Sequence, residues 1–180
     1  LRARVSLLQG NIVDAKQALS QLPSADMSST PEFIVDRVRL AFALGDIKAA
    51  DADLKRLDQF STLHADLQDE CQRLKAQYLQ QREQQVRAQI RQWNQAGMDA
   101  AQAGDAKQAL VLLRQAFMLM PCNAALVLNL LQTLGQLPFD RAVKPMVKAA
   151  MLALELSTKT AANQQRLAQL LPQLPEAYFD

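Results

Sequence analysis

The residues that could do chemistry here are few, and their spacing does not suit it. A metal centre or a general base would draw first on histidine, and His64 is the only one among 180 residues. It falls near the start of an expected helix, where a capping or solvated role fits it. The two cysteines, Cys71 and Cys122, are too distant in sequence for a paired metal-ligand spacing, and they read as reduced, partly buried thiols. Carboxylate pairs at Asp51/Asp53 and Asp69/Glu70 could in principle work as acid and base. Both have Lys and Arg nearby and read as solvated helix surfaces. Arg82, Arg87 and Arg91 could meet phosphates, as could Arg2, Arg4, Arg37 and Arg39, but no aromatic residues interleave them as a stacking platform for nucleic acid. No glycine-rich phosphate loop, His-rich pattern or nucleophile motif occurs. The expectation is a protein that is not an enzyme, with no catalytic, cofactor-binding or metal residues and no nucleic-acid partner.

The chain must therefore be read through its elements. Hydrophobic residues at 49% and charged residues at 21% are ordinary for a globular protein. Few aromatics and abundant Ala, Leu and Gln favour helix over strand. A net charge of +2 implies no strong attraction to nucleic acid or anionic lipid. Leu1 to Gln9 has no signal-peptide pattern and reads as the middle of a helix, so a piece of a longer protein is expected. Gln115 to Phe139 lacks charge, but Pro121, Cys122 and Asn123 interrupt it. It reads as two buried helices joined by a turn, with no membrane span.

Three stretches say nearly the same thing: "LQGNIVDAKQAL" from Leu8, "ALGDIKAADADL" from Ala43 and "QAGDAKQALVLL" from Gln102. Aligned on Gly10, Gly45 and Gly104, they share Ala15, Ala50 and Ala109. Further on come Leu19, Leu54 and Leu113, then Leu22, Leu57 and Ala116. These offsets return to one helix face. Ile34 and Val38 precede Gly45 at the same offsets by which Trp93 and Gly97 precede Gly104. Each glycine thus ends one amphipathic helix in a left-handed turn. Asn11, Asp46 and Asp105 cap the next helix. The small alanine marks where two helices approach closely.

On these residues the stretch Ile90 to Met120, followed by Pro121, resembles a tetratricopeptide repeat. Trp93, Gly97, Gly104, Ala109, Ala116 and Pro121 carry the match. Ala96 and Ala100 depart from it, standing where that repeat often has Leu and Tyr. Glu32 to Leu57 matches less well, lacking the first glycine, and Leu1 to Leu22 is the back part of a truncated unit. A degenerate unit follows, with Val127, Leu131, Val143, Val147 and Ala150 in the corresponding places and Gly135 and Pro138 making the turn. The expected fold is all-α: a solenoid of helical hairpins with one long inserted helix and a C-terminal capping helix. Residues 1–60 hold the truncated hairpins. Residues 61–180 hold the long helix, the best-matched unit (90–123), the degenerate unit (124–157) and the cap, in one continuous array.

The long helix is expected from about Leu63 to Ala103, because no Gly or Pro occurs between Ser61 and Ala96. Ser61 or Thr62 would cap it. Its stripe of Leu67, Cys71, Leu74 and Tyr78 either packs on the chain's own hairpins or forms a seam for a homodimer. Phe139 to Leu156 is expected to be a helix, with Pro145 in its first turn or kinking it. Ala161 to Leu171 would close the array, and the proline-broken tail "PQLPEAYFD" would lie extended.

The resemblance also implies a function. In such arrays the first helix of each hairpin lines a groove for a protein or peptide partner. Here Arg91, Asn94, Met98, Ala101 and Gln102 would line it in the best unit. Val35, Arg39 and Phe42, then Leu128 and Gln132, would continue it. Polar amides beside Arg can hold a peptide backbone or a carboxylate, and Met adapts to varied side chains. The set does not reproduce the carboxylate clamp of chaperone-binding repeats. A second resemblance rests on "MPCNAALVLNLLQTL" (Met120 to Leu134) and Arg166 to Leu171. These stretches are similar to the C-terminal region of bacterial response regulators in which a phosphoacceptor receiver precedes helical repeats. This implies a cytoplasmic scaffold for two-component signal transduction and phosphorelay. The alternative is an assembly or secretion adaptor with no signalling input.

Overall fold

The computed structural model describes residues 5, 6, 9–20, 30–60, 62–157 and 160–179. Among them there is no strand, and the chain is all-α. Its helices are α1 (Ile12–Ser20), α2 (Pro31–Ala43), α3 (Ile47–Leu57), α4 (Ala65–Gln102), α5 (Ala106–Leu119), α6 (Ala124–Gly135), α7 (Lys144–Leu156) and α8 (Ala161–Leu170). The chain divides into two compact units, Leu1–Gln84 and Gln85–Asp180. The division falls inside α4, which contributes to both.

The repeated phrase makes the same turn three times. Gly10, Gly45 and Gly104 have φ of +75°, +70° and +83°. After α2, the Asp46 N–H donates to the Ala41 carbonyl and the Gly45 N–H to that of Phe42. After α4, Asp105 donates to Ala100 and Gly104 to Ala101 in the same way. These bonds satisfy carbonyls that a helix end leaves open. The Asx residue then caps the following helix. Asp46 accepts from the Ala49 N–H, Asp105 from Gln108 and Asn11 from Asp14, each at 3.0–3.2 Å. One residue thus closes one helix and opens the next.

In the first unit α2 and α3 form a hairpin, with α1 packed on α2. Ala15 and Ala50 are fully buried, as their offset from the glycines predicts. Ile34, Val38, Leu54 and Leu57 fill the hairpin, and Cys71 and Leu74 of α4 complete its core. The side chain of Leu19, together with Leu22, Ser61, Arg2 and Arg4, lies outside the described residues.

In the second unit α4 packs against α5 at Gly97. A Cβ there would lie 2.8 Å from the Leu113 Cγ and 3.4 Å from the Ala109 carbonyl oxygen. Glycine inside a helix costs roughly 0.5–1 kcal/mol relative to alanine, and this close approach is what it permits. Ala109, Leu113 and Ala116 are fully buried. The core continues through Val127, Leu131, Val147 and Ala150 as α6 packs on α5, α7 and α8.

Several expectations are corrected. The stripe of α4 is not open for a homodimer seam: Cys71 and Leu74 are 6% and 4% exposed, and Leu67 and Tyr78 pack on the same core. The apolar surface that a partner helix would have covered is covered by α2 and α3. Asp53 is not a solvated carboxylate but is 2% exposed. Of the two thiols Cys71 is buried and Cys122 is exposed. The α4 helix starts later than Ser61 or Thr62 would allow, since the carbonyl of exposed His64 accepts its first helical bond, from Gln68. Gly135 is the last residue of α6, has no positive φ, and sits against the Gln173 backbone. Helix α7 begins at Lys144 after a single 3-10 turn, with Pro145 in its first turn. The tail is not extended. It makes 3-10 turns at Leu171–Gln173 and Glu176–Tyr178, and buries Leu174 and Tyr178. The Tyr178 hydroxyl accepts from the Asp140 N–H, and its ring packs on Phe139 at 4.9 Å between centroids.

Candidate partner-binding face

Of the expected groove residues, Val35, Phe42 and Leu128 are 3%, 8% and 0% exposed and belong to the two cores. Their apolar side chains are held inward by the hairpins they lie in, so none can reach a partner. Arg39 is on the surface but engaged. Its Nη2 lies 2.6 Å from Glu70 Oε1, and its Nη1 lies 3.0 Å from Asp36 Oδ1. In the same unit Arg37 Nε lies 3.0 Å from the buried Asp53 carboxylate, which Arg56 also approaches at 3.6 Å. Burial raises the Cys71 thiol above its ordinary pKa, which disfavours the thiolate that nucleophilic chemistry needs.

The second unit keeps the other expected residues together. Arg91, Asn94, Met98, Ala101 and Gln102 lie on α4, at spacings that share one helix face. Arg91 and Gln102 are exposed; Asn94, Met98 and Ala101 are half-buried. Asn94 meets a residue that the sequence reading missed. Asn129 of α6 donates through Nδ2 to Asn94 Oδ1 at 2.9 Å. Arg166 of α8, also missed, reaches both amides of α6. Its Nη2 lies 2.7 Å from Asn129 Oδ1 and 2.7 Å from Gln132 Oε1. A polar line therefore runs across α4, α6 and α8, stitched by side chains 34 to 37 residues apart. That spacing is close to the 35 residues between Gly10 and Gly45, and it was the available signal. Asn94 and Gln132 belong to this line, whereas among the described residues no hydrogen bond ties Met98 or Gln102 into it.

Two open grooves flank α7. One, of about 220 Å³, is lined by Met151, Leu154 and Leu167 with Asn163 and Gln164. The other, of about 260 Å³, lies between α7 and the tail at Tyr178 and Phe179. Among the described residues no three His, Cys, Asp or Glu side chains gather as metal ligands. No described helix is long and apolar enough to cross a membrane. No family model, curated protein or solved structure matches this chain.

Proposed function

We propose that this chain is a non-catalytic protein–protein interaction scaffold of tetratricopeptide-like hairpins, and that it forms the cytoplasmic output region of a bacterial two-component response regulator. The observation that carries the scaffold reading is the amide and arginine line over α4, α6 and α8. It gathers hydrogen-bonding groups on one face, half-buried at Asn94, Gln132 and Arg166 and buried at Asn129, while the apolar residues of the same helices form the core. The hairpin reading is supported by the three left-handed Gly–Asx turns and by the fit of Gly97 against Ala109 and Leu113. The signalling reading rests on the likeness of Met120 to Leu134 and Arg166 to Leu171 to such regulators.

The scaffold is tested by capture. The immobilised chain is compared with its Arg91→Glu and Met98→Asp variants for proteins retained from a bacterial extract. Arg91 is exposed, so Arg91→Glu should leave the melting temperature nearly unchanged, whereas Met98 is half-buried and Met98→Asp should lower it more. The expected result is loss of retained partners, and full retention by both variants would sink the assignment of this face. The signalling role is tested by the reading frame upstream of Leu1. A receiver domain there supports it. A signal peptide with a lipid-attachment cysteine would favour an assembly adaptor instead.

A further inference from the structure

The hydrogen-bond directions around Arg166 define what the face must receive. A guanidinium has only donors. Its Nη2 meets Asn129 and Gln132, so both amides turn their oxygens toward it. That leaves the Asn129 Nδ2 to donate to Asn94 Oδ1. All three amide oxygens are therefore engaged within the protein. What remains is a set of donors: the Asn94 Nδ2, the Gln132 Nε2 and the other N–H groups of Arg166.

The charge is equally one-sided. Arg37 and Arg39 meet carboxylates at 3.0 Å or closer. Arg166 is half-buried and has only neutral amide oxygens as partners among the described residues. A positive charge held in place without a counterion, beside unused donors, is complementary to an anion with several acceptor oxygens. A carboxylate matches the guanidinium fork. The amide donors on α4 and α6 suit backbone carbonyls of the segment that bears it.

We propose that Arg166, held by Asn129 and Gln132, binds an aspartate or glutamate side chain of an extended segment of a partner protein, with Asn94 and Gln132 donating to that segment's backbone. This rests on the scaffold reading above and adds the chemistry of the partner.

The test presents an array of random heptapeptides to the purified full chain. Bound peptides should be enriched in Asp or Glu. Replacing that acid by its amide in the best binder should weaken it at least tenfold, since a hydrogen bond to a charged group contributes about 1.5–3 kcal/mol. Arg166→Gln should abolish the preference. Gln132→Glu supplies an internal carboxylate in nearly the same shape. It should raise the melting temperature and also lose the acidic peptides, so this arm remains decisive even if Arg166→Gln fails to fold. An array with no acidic preference, a preference surviving in Gln132→Glu, or no bound peptide at all would overturn the proposal. Inorganic phosphate displacing the peptide at constant ionic strength would also overturn it, pointing to a free oxyanion site. Partner capture from extract that persists with no acidic preference would sink this inference and leave the scaffold reading standing.

Discussion

The two units use the same turn and treat arginine in opposite ways. Residues 1–84 contain the Gly10 and Gly45 turns, and residues 85–180 use an identical device at Gly104. Yet in the first unit Arg37 and Arg39 lie on carboxylates, and one of these, Asp53, is nearly buried. In the second unit Arg166 lies on amide oxygens. The turns and small residues specify a hairpin, whichever unit they lie in. The polar residues between hairpins decide whether charge is neutralised inside the protein or left for something outside it.

The largest effect should come from the apolar core. Leu131 is fully buried among α5, α6 and α7 residues. Leu131→Ala should cost about 2–5 kcal/mol, by lost transfer free energy and the cavity left behind. Urea unfolding measures it. A loss under 1 kcal/mol would mean that α6 is not central to the second unit.

The comparison itself is sharpened by truncating one arginine from each unit. Arg37→Ala leaves the Asp53 carboxylate buried with only the more distant Arg56 beside it. Loss of one partner of a buried pair costs about 3–5 kcal/mol, and the remaining Arg56 places the expectation at about 3. Arg166→Ala leaves only neutral amides, the buried Asn129 and the half-buried Gln132, so about 1 kcal/mol is expected. Equal losses in denaturant melts would break the contrast between the units.

Close packing comes next. Ala109 is fully buried and its carbonyl lies against Gly97. Ala109→Leu should overpack that contact and cost about 1–3 kcal/mol, read from a thermal melt. An unchanged melt would remove the register in which Gly97 and Ala109 face one another. Smaller still are the turn glycines. Gly45→Ala and Gly104→Ala add a Cβ that meets nothing within 4 Å. The strain is purely in the positive φ, about 1–2 kcal/mol. The two substitutions should cost the same amount, because the turns are the same; a twofold difference would show that the repetition is only apparent.

The hairpins were legible because turn chemistry is local. A glycine, an Asx and an alanine at fixed offsets determine φ, a cap and a close approach without reference to distant residues. The long helix was legible for a similar reason, since an unbroken run of residues without Gly or Pro has few alternatives to helix. The candidate face was only half legible. Periodicity gives the face on which a residue lies, but not what covers that face, and so Val35, Phe42 and Leu128 were misread as open. Burial of Asp53 was hidden for the converse reason: a carboxylate goes inside only when a specific cation reaches it, and Arg37 comes from another helix. Asn129 and Arg166 escaped notice because each acts only through partners 34 to 37 residues away in sequence. The tail could not be read as folded, because the partner of Tyr178 is a backbone N–H at the start of α7's approach.

The smallest effect concerns an ion pair at the surface of the first unit. Asp51 Oδ2 lies 2.7 Å from Lys55 Nζ, one helical turn away on α3. Hydrogen bonds from Lys55 and then Tyr78 hold the Asp51 carboxyl below its ordinary value of 3.8. The Asp51 bond in turn raises Lys55 above 10.5. The signs differ at the two ends of the pH range. Asp51 has a depressed folded-state pKa, so its contribution is present above 3.8 and is lost as pH falls through the lower folded value. Lys55 has a raised one, so its contribution is present below 10.5 and is lost as pH rises through the higher folded value. Such exposed pairs contribute little to stability, so the measurement should be the titration itself. Carboxyl carbon shifts followed by NMR should place Asp51 below its ordinary value of 3.8. Lys55→Ala should move it upward more than Tyr78→Phe does, following the order of the two hydrogen bonds. If Tyr78→Phe leaves the Asp51 titration in place, Tyr78 contributes only its ring to the first core, and the α3–α4 contact there is apolar rather than hydrogen-bonded.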